Sequence, residues 1–323
     1  MRHKAINRGM MILAVSALVI GTAACGGKTP KENGTITPAG QATSAVQNTP
    51  AAQITDELQP TAPVIPDKEA PYRNDDTDPA LREEADAVKK SVNKGDIRAK
   101  ITLADGNIRV EGNGCKSDED SVKIKEPGTY EISGSLANGK ISVNTDNKGE
   151  VYLILNGVTV HNEKGSALSC KKTEKLTIEL AEGTVNTLSD GAEYEFDEGE
   201  DEPDATLFSK CNLVFCGSGK LVVKSAFKDA LKGKDSLFIL GGTYEIDSVS
   251  DGIVGKDFLY VADGNFTICA GKDGLKASKK DDPIYGSMIV EKGQYDITSG
   301  DKPFSASNKM SVSGEIGLTY KKK

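Results

Sequence analysis

Asp251-Gly-Ile-Val-Gly-Lys-Asp257 decides the fold, because near copies stand twenty-two residues to either side of it: Asp229-Ala-Leu-Lys-Gly-Lys-Asp235 and Asp273-Gly-Leu-Lys-Ala-Ser-Lys279. A weaker copy begins at Asp204 and a degenerate one at Asp301. Each is followed by an apolar run, a glycine and a second run, as in Gly219-Lys-Leu-Val-Val, Gly242-Thr-Tyr-Glu-Ile, Gly264-Asn-Phe-Thr-Ile, Gly293-Gln-Tyr-Asp-Ile and Gly314-Glu-Ile-Gly-Leu. Those glycines lie 23, 22, 29 and 21 residues apart, the 29 absorbing an insertion around residues 279–285. A period near 22 is too short for a propeller blade and lacks the helical half usual in a leucine-rich repeat. It matches one coil of a right-handed parallel β-helix, with three short strands and three turns per rung and rungs about 4.8 Å apart.

Upstream, from residue 97, Ile101-Leu103, Ile108-Val110, Tyr130-Ile132, Ile141-Val143 and Tyr152-Leu155 alternate apolar with polar and are broken by Gly, Asn and Asp. The absence of helical periods there excludes a sheet wound with helices. The solenoid is expected over 97–323, with Leu231, Ile253 and Leu275 inward on one face. On another, Leu221, Tyr244, Phe266, Tyr295 and Ile316 share a register, which makes the aromatics an interior stack and not a sugar platform.

The chain before the repeat is different. Arg2, Lys4 and Arg8, an apolar run from Met10 to Ile20, and Ala23-Ala24-Cys25 describe an export leader over 1–24, too short to span a bilayer. It resembles a bacterial lipoprotein signal, with Thr22 where leucine is usual, and implies lipidation of Cys25. Residues 25–78 show no apolar period, and eight of the twelve prolines fall between residues 26 and 79, so this is a disordered tether reaching about 40 Å. A short helix over 79–96 follows: Pro79 opens it, Glu83 and Glu84 lie in its first turn, Leu81, Ala85, Val88 and Val92 share a face, and Gly95 ends it. It is expected to cap the solenoid.

Loss of the three basic leader residues takes the formal charge from −8 to −11. Nucleic acid and anionic lipid are excluded as partners of the folded domain, and an anionic ligand needs cations. Six cysteines, five without Cys25, show no CxxC spacing and read as small core or surface thiols, Cys170 facing inward. His161, the one histidine beyond the leader, reads as a surface residue.

The repeat stacks Asp229, Asp251 and Asp273 at one corner. Two carboxylates about 4.8 Å apart repel by roughly 1 kcal/mol in water and roughly 3.5 kcal/mol at an effective dielectric of 20. Such a row needs positive charge. Lys234 and Lys256 supply some, and calcium, with its preference for carboxylate and carbonyl oxygens, would supply more. The competing reading has each aspartate bonding its own turn while the next glycine adopts left-handed geometry. A second acidic feature, Asp190 to Asp204, has nine carboxylates in fifteen residues and reads as a solvated loop that could join a calcium site.

Ser142-Val143, Leu153-Ile-Leu-Asn-Gly-Val158, Thr184-Val-Asn-Thr-Leu-Ser-Asp-Gly191, Asp-Glu-Pro-Asp204, Leu207-Phe-Ser-Lys210 and the Asp-Gly-Ile and Gly-Lys-Asp echoes occur in an order, over roughly 100–312, that resembles a bacterial family of carbohydrate-binding β-helix proteins related in fold to pectate lyases. The resemblance implies calcium at acidic corners, with Asp229, Asp251 and Asp273 as the repeated acid and Asp235 and Asp257 as the following one. It also implies affinity for plant-wall polysaccharide, notably polygalacturonate, and some for cellulose. The chain departs from the pattern at Ala230, at Cys211-Asn212 and at Lys302-Pro303-Phe304.

The expected function is therefore calcium-dependent, non-catalytic binding of acidic polysaccharide by a monomer anchored outside the cell membrane through Cys25, with Lys232, Lys234, Lys256 and Lys276 pairing with sugar carboxylates. One alternative is a lyase acting by β-elimination with Lys234 or Lys256 as base, although both are expected in similar, exposed surroundings. A structural wall or adhesion protein is the other.

Overall fold

The computed structural model describes Tyr72 and residues 74–323 except Asn147. The leader, Cys25 and nearly all of the tether lie outside these residues.

Every later rung is three strands. Asp229–Gly233, Ser236–Ile239 and Thr243–Ser248 make one rung; Ile253–Gly255, Phe258–Val261 and Asn265–Ala270 make the next. Equivalent strands pair in parallel, giving an all-β solenoid with three faces. The second and third faces join through the long strand Val151–Asn162, which belongs to both. Register carries Leu231 onto Ile253, Leu275 and Phe304. Earlier rungs are longer, with Ile141 on Leu168 and Leu168 on Leu207, so the twenty-two-residue offset belongs to the later coils. Two antiparallel pairings, Ile97–Leu103 with Arg109–Gly112 and Cys115–Ser117 with Ser121–Ile124, close the first end.

Alternation sends one side chain in two to the core, which on the third face is aromatic. Leu221, Tyr244, Phe266 and Tyr295 form one ladder, and the rings stack at centroid distances of 5.0 and 4.7 Å. The interior stack expected from register is present. Its last member is Leu318, however, since Ile316 pairs with Gly293. Interior tyrosine is tolerated because each hydroxyl finds a turn carbonyl: Tyr244 donates to Gly241 at 2.8 Å and Tyr295 to Lys292 at 3.0 Å. At Gly264 and Gly293, where φ is +149° and +127°, the ring two residues on lies over the glycine, and a Cβ would come within 2.8 and 3.1 Å of it.

The second face is apolar on both sides. Phe238, Phe258, Tyr260 and Ile289 point outward and are buried all the same, beneath Leu81, Ala85 and Val88 of the helix Pro79–Ser91. Asp78 caps that helix, its side chain accepting from the Ala80 N–H at 2.9 Å. Glu83 and Glu84 lie beyond the first turn, and Val92 is already extended. The helix does not cap the solenoid's end: it is a strap along the side, because the unbroken apolar runs of that face need a cover. Lys89 reaches Glu291 at 3.0 Å and Lys175 reaches Ser91 at 2.9 Å. Before the helix, the Asp75 N–H donates to the Met310 carbonyl at 2.5 Å, the Asn74 side chain accepts from Val312, and Tyr72 packs edge-on against Phe304. This segment covers the edge of the last rung.

Candidate functional site

The turns entering the first face bring Asp229, Asp251 and Asp273 into the expected row, but buried, each 6–7% exposed. One oxygen of each accepts a backbone N–H from the next rung: Asp229 from Asp251 at 3.1 Å, Asp251 from Asp273 at 3.0 Å and Asp273 from Lys302 at 3.2 Å. The other oxygen meets a lysine. Lys232 lies 3.2 Å from Asp229 and 2.6 Å from Asp204; Lys276 lies 2.9 Å from Asp251 and 3.1 Å from Asp273. On the outward ladder Phe208, Lys232, Val254, Lys276 and Ser305, lysine thus recurs every second rung and serves two carboxylates.

Burial raises the Asp251 carboxyl above its ordinary range, and Lys276 holds it back. At Lys232 and Lys276 burial opposes the charge, yet the paired carboxylates outweigh it and raise both. Calcium takes six to eight oxygens. Here both oxygens of each row aspartate are engaged, and among the described residues no three of His, Cys, Asp or Glu converge to hold a metal ion. As arranged, the row does not fit calcium. The glycines of the motif are also explained by packing and not by handedness: neither Gly252 nor Gly274 is left-handed, but a Cβ there would sit 2.6 and 2.7 Å from the carbonyls of Gly274 and Pro303 one rung on.

Asp235 and Asp257 form a second acidic pair, apart from the row. Lys279 holds Asp257 at 2.9 Å. Asp235 is exposed, yet partial desolvation of its carboxyl, and then the Asp257 charge, raise it. A carboxyl raised in the folded state contributes stability below its ordinary value of 3.8 and loses it as pH rises through the folded value. Asp235→Asn is therefore expected to raise the melting temperature slightly at pH 7, limited by solvent screening, with the gain fading toward pH 4. A decrease at neutral pH would contradict this.

Sequence reading placed Lys234 and Lys256 in similar, exposed surroundings. Instead Lys234 is clamped by Glu202, while Lys256 is half-buried and makes no ion pair among the described residues. Glu202 also meets Lys210 at 3.1 Å.

These contacts belong to the acidic segment 190–204, which is pinned at both ends and is not a freely solvated loop. At its start Asp190 is 5% exposed and accepts four hydrogen bonds: Tyr194 Oη at 2.6 Å, Thr206 Oγ1 at 2.7 Å, Ser225 Oγ at 3.2 Å and the Ala226 N–H at 2.6 Å. At its end Glu202 and Asp204 sit on the lysines named above. Between them Tyr194 stacks on Phe227 at 4.1 Å, and Phe196, 37% exposed, tilts against both rings.

Between this segment and the first face lies a groove of about 530 Å³. Lys123, Ser142 and Ser169, on one outward ladder, contribute to its floor, and Lys125, Lys140, Lys171, Phe196 and Asp197 also line it. Lys125, Lys140 and Lys171 make no ion pair among the described residues. A smaller groove of about 300 Å³ on the third face is lined by Asn265, Gln294, Asp296 and Thr319 and contains no lysine. His161 bridges Ser189 at 2.9 Å and Glu163 at 3.0 Å, and neither His161 nor Ser189 lines either groove.

The groove and its aromatic lip were missed at the sequence level. Their signal was Tyr194 and Phe196 within a run otherwise given to charge, with Phe227 one coil later.

The family model described as "Carbohydrate-binding domain-containing protein" matches residues 117–322. A protein of the same description from Acetivibrio thermocellus is 34% identical over 157 residues, 48% of this chain and 55% of that protein; the chain thus matches about half the length of that relative. Among solved structures, a gadolinium derivative of the polysaccharide lyase-like protein from C. thermocellum aligns with a TM-score of 0.62 at 29% identity, covering 70% of this chain and 96% of that one. With a matched region that runs from the groove's first strands to the last rung, this chain belongs to the carbohydrate-binding domain-containing protein family.

Proposed function

We propose that the groove beneath the pinned acidic segment binds an acidic polysaccharide, of which polygalacturonate is the type, without cleaving it. The observation that carries this reading is the convergence of Lys125, Lys140 and Lys171 with the exposed ring of Phe196 along one groove. The ammonium groups pair with uronate carboxylates, and the ring packs against a sugar's C–H face. Lys232, Lys234 and Lys276 are spent on the protein's own acids. Binding therefore runs through the groove lysines and needs no ion at the aspartate row, a departure from the calcium dependence expected from sequence.

Replacing Lys125, Lys140 and Lys171 together by Gln is expected to weaken polygalacturonate binding at least tenfold in titration calorimetry and to flatten its salt dependence. Phe196→Ala should weaken it less. Affinity should survive EDTA. Unchanged affinity in the triple variant, or equal loss on replacing the distant Lys321 and Lys322, would sink the assignment.

A lyase remains the second reading, supported by the polysaccharide lyase-like neighbour. With Lys234 held by Glu202, its base would be Lys256. Ultraviolet-absorbing unsaturated uronate formed by wild type, and abolished in Lys256→Arg with binding intact, would establish it. A glycan screen that finds no ligand would favour a structural role. We further propose that Cys25 carries a lipid anchor; Cys25→Ala should then release the protein from the membrane fraction.

A further inference from the structure

Cys170 and Cys211 are used by nothing above, and they stand on consecutive rungs. Cys170 lies in the strand Leu168–Lys172, fully buried, and its lateral partner on the next rung is Ser209. The Lys210 N–H donates to the Cys170 carbonyl at 2.9 Å. A tight turn then brings Cys211 back: Ser209 Oγ accepts from the Cys211 N–H at 3.1 Å and donates to its carbonyl at 2.7 Å. The two side chains meet there, the Cys170 thiol hydrogen-bonding to the Cys211 sulfur. The Thr173 N–H donates to the same sulfur at 3.3 Å. Cys211 is half-exposed and both thiols are free. Ser169 and Lys171, on either side of Cys170, line the groove.

We propose that Cys170 and Cys211 are a reactive dithiol that closes to a disulfide when the protein meets a low-molecular-weight disulfide, tying two rungs together behind the groove floor. One inter-strand gap, about 4.8 Å, separates the two backbones, and the turn after Ser209 carries the Cys211 sulfur back to Thr173, three residues from Cys170.

The order of events follows from the two environments. The hydrogen bond from Cys170, and the Thr173 N–H, bring the Cys211 thiol down to about 7, whereas that same bond and burial raise Cys170. Cys211 as thiolate attacks one sulfur of the oxidant; the oxidant's S–S bond breaks and one thiolate leaves. Cys170 then gives up its proton and attacks Cys211 Sγ, displacing the second thiolate. Two protein thiols are oxidised, one disulfide is reduced to two thiols, and no other reactant is needed. Cys115 and Cys216, both raised by burial, do not share this activation.

The test treats the full chain with oxidised glutathione, blocks remaining thiols and maps peptides by mass spectrometry. The expected wild-type result is a Cys170–Cys211 cross-link, the loss of two hydrogens, no lasting glutathione on Cys211, and a melting temperature several degrees above the reduced form because a long loop is closed. Cys170→Ser should stop at a glutathione adduct on Cys211. Cys211→Ser, at a half-exposed position, should show no modification of Cys170 and serves if the buried variant fails to fold. Wild-type protein that keeps both thiols free, or keeps glutathione on Cys211 beside a reduced Cys170, overturns the proposal.

Discussion

Asp190→Ala is expected to lower the melting temperature by on the order of 10 °C. The carboxylate satisfies three hydroxyls and one backbone N–H from three separate strands and turns. A buried donor left without a partner costs about 1–3 kcal/mol. Local relaxation prevents four such terms from adding, so about 3–4 kcal/mol is the expected loss, at roughly 2–4 °C per kcal/mol for a domain of this size. Asp190→Asn, which keeps one acceptor and the volume, should lose about half as much. Because Asp190 anchors the groove's acidic wall, polysaccharide binding should fall in both. An alanine variant that melts like wild type in calorimetry would show that Asp190 is not the anchor described.

Lys276→Met comes next, at about 2–3 kcal/mol. It leaves Asp251 and Asp273 beside one another with no counter-charge. Removing one partner of a fully buried pair costs about 3–5 kcal/mol, and the corner is partly open, Lys276 being 27% exposed. The loss has a pH signature. Asp251 already has a raised folded-state pKa, and losing Lys276 raises it further, so stability is lost as pH climbs through that value and regained below it. The gap between variant and wild type should be widest at neutral pH and narrow toward pH 4. Calcium should stabilise the variant more than wild type, because only the variant lacks its own cation. A wild-type response to calcium over EDTA as large as the variant's would restore the sequence expectation for the row.

The solenoid was legible because a twenty-two-residue echo can stack only if its copies occupy equivalent places; Leu231, Ile253 and Leu275 followed from that alone. The ladder failed by two residues at Ile316, where the turn after Val312 is one residue longer than the turn after Val290 and glycine spacing no longer tracks register. The aspartate row was legible as a row. Its counter-ions were not: Lys232 and Lys276 were expected to pair with sugar carboxylates, and Val254 at the same place in the copy between them hides that a lysine on every second coil serves the row itself. Asp190 was misplaced for another reason: within a run of carboxylates nothing local separates the one that turns inward, and its partners Thr206, Ser225 and Ala226 come from later in the chain. The outward apolar layer at Phe238, Phe258 and Tyr260 went unread: its runs lack alternation, and it is that layer which calls for the strap that the helix provides in place of the expected cap.

The strap has a mechanical consequence. A load applied to the chain before Tyr72 enters the domain where Asn74 and Asp75 bond to Met310 and Val312, on the last coil. The groove proposed for the polysaccharide draws on strands and loops between Asp120 and Pro203, at the other end of the stack. Tension must therefore peel the edge of the final coil, then strip the helix from the side wall, before it reaches the strands that line the groove. The fold places its mechanical fuse far from its hand.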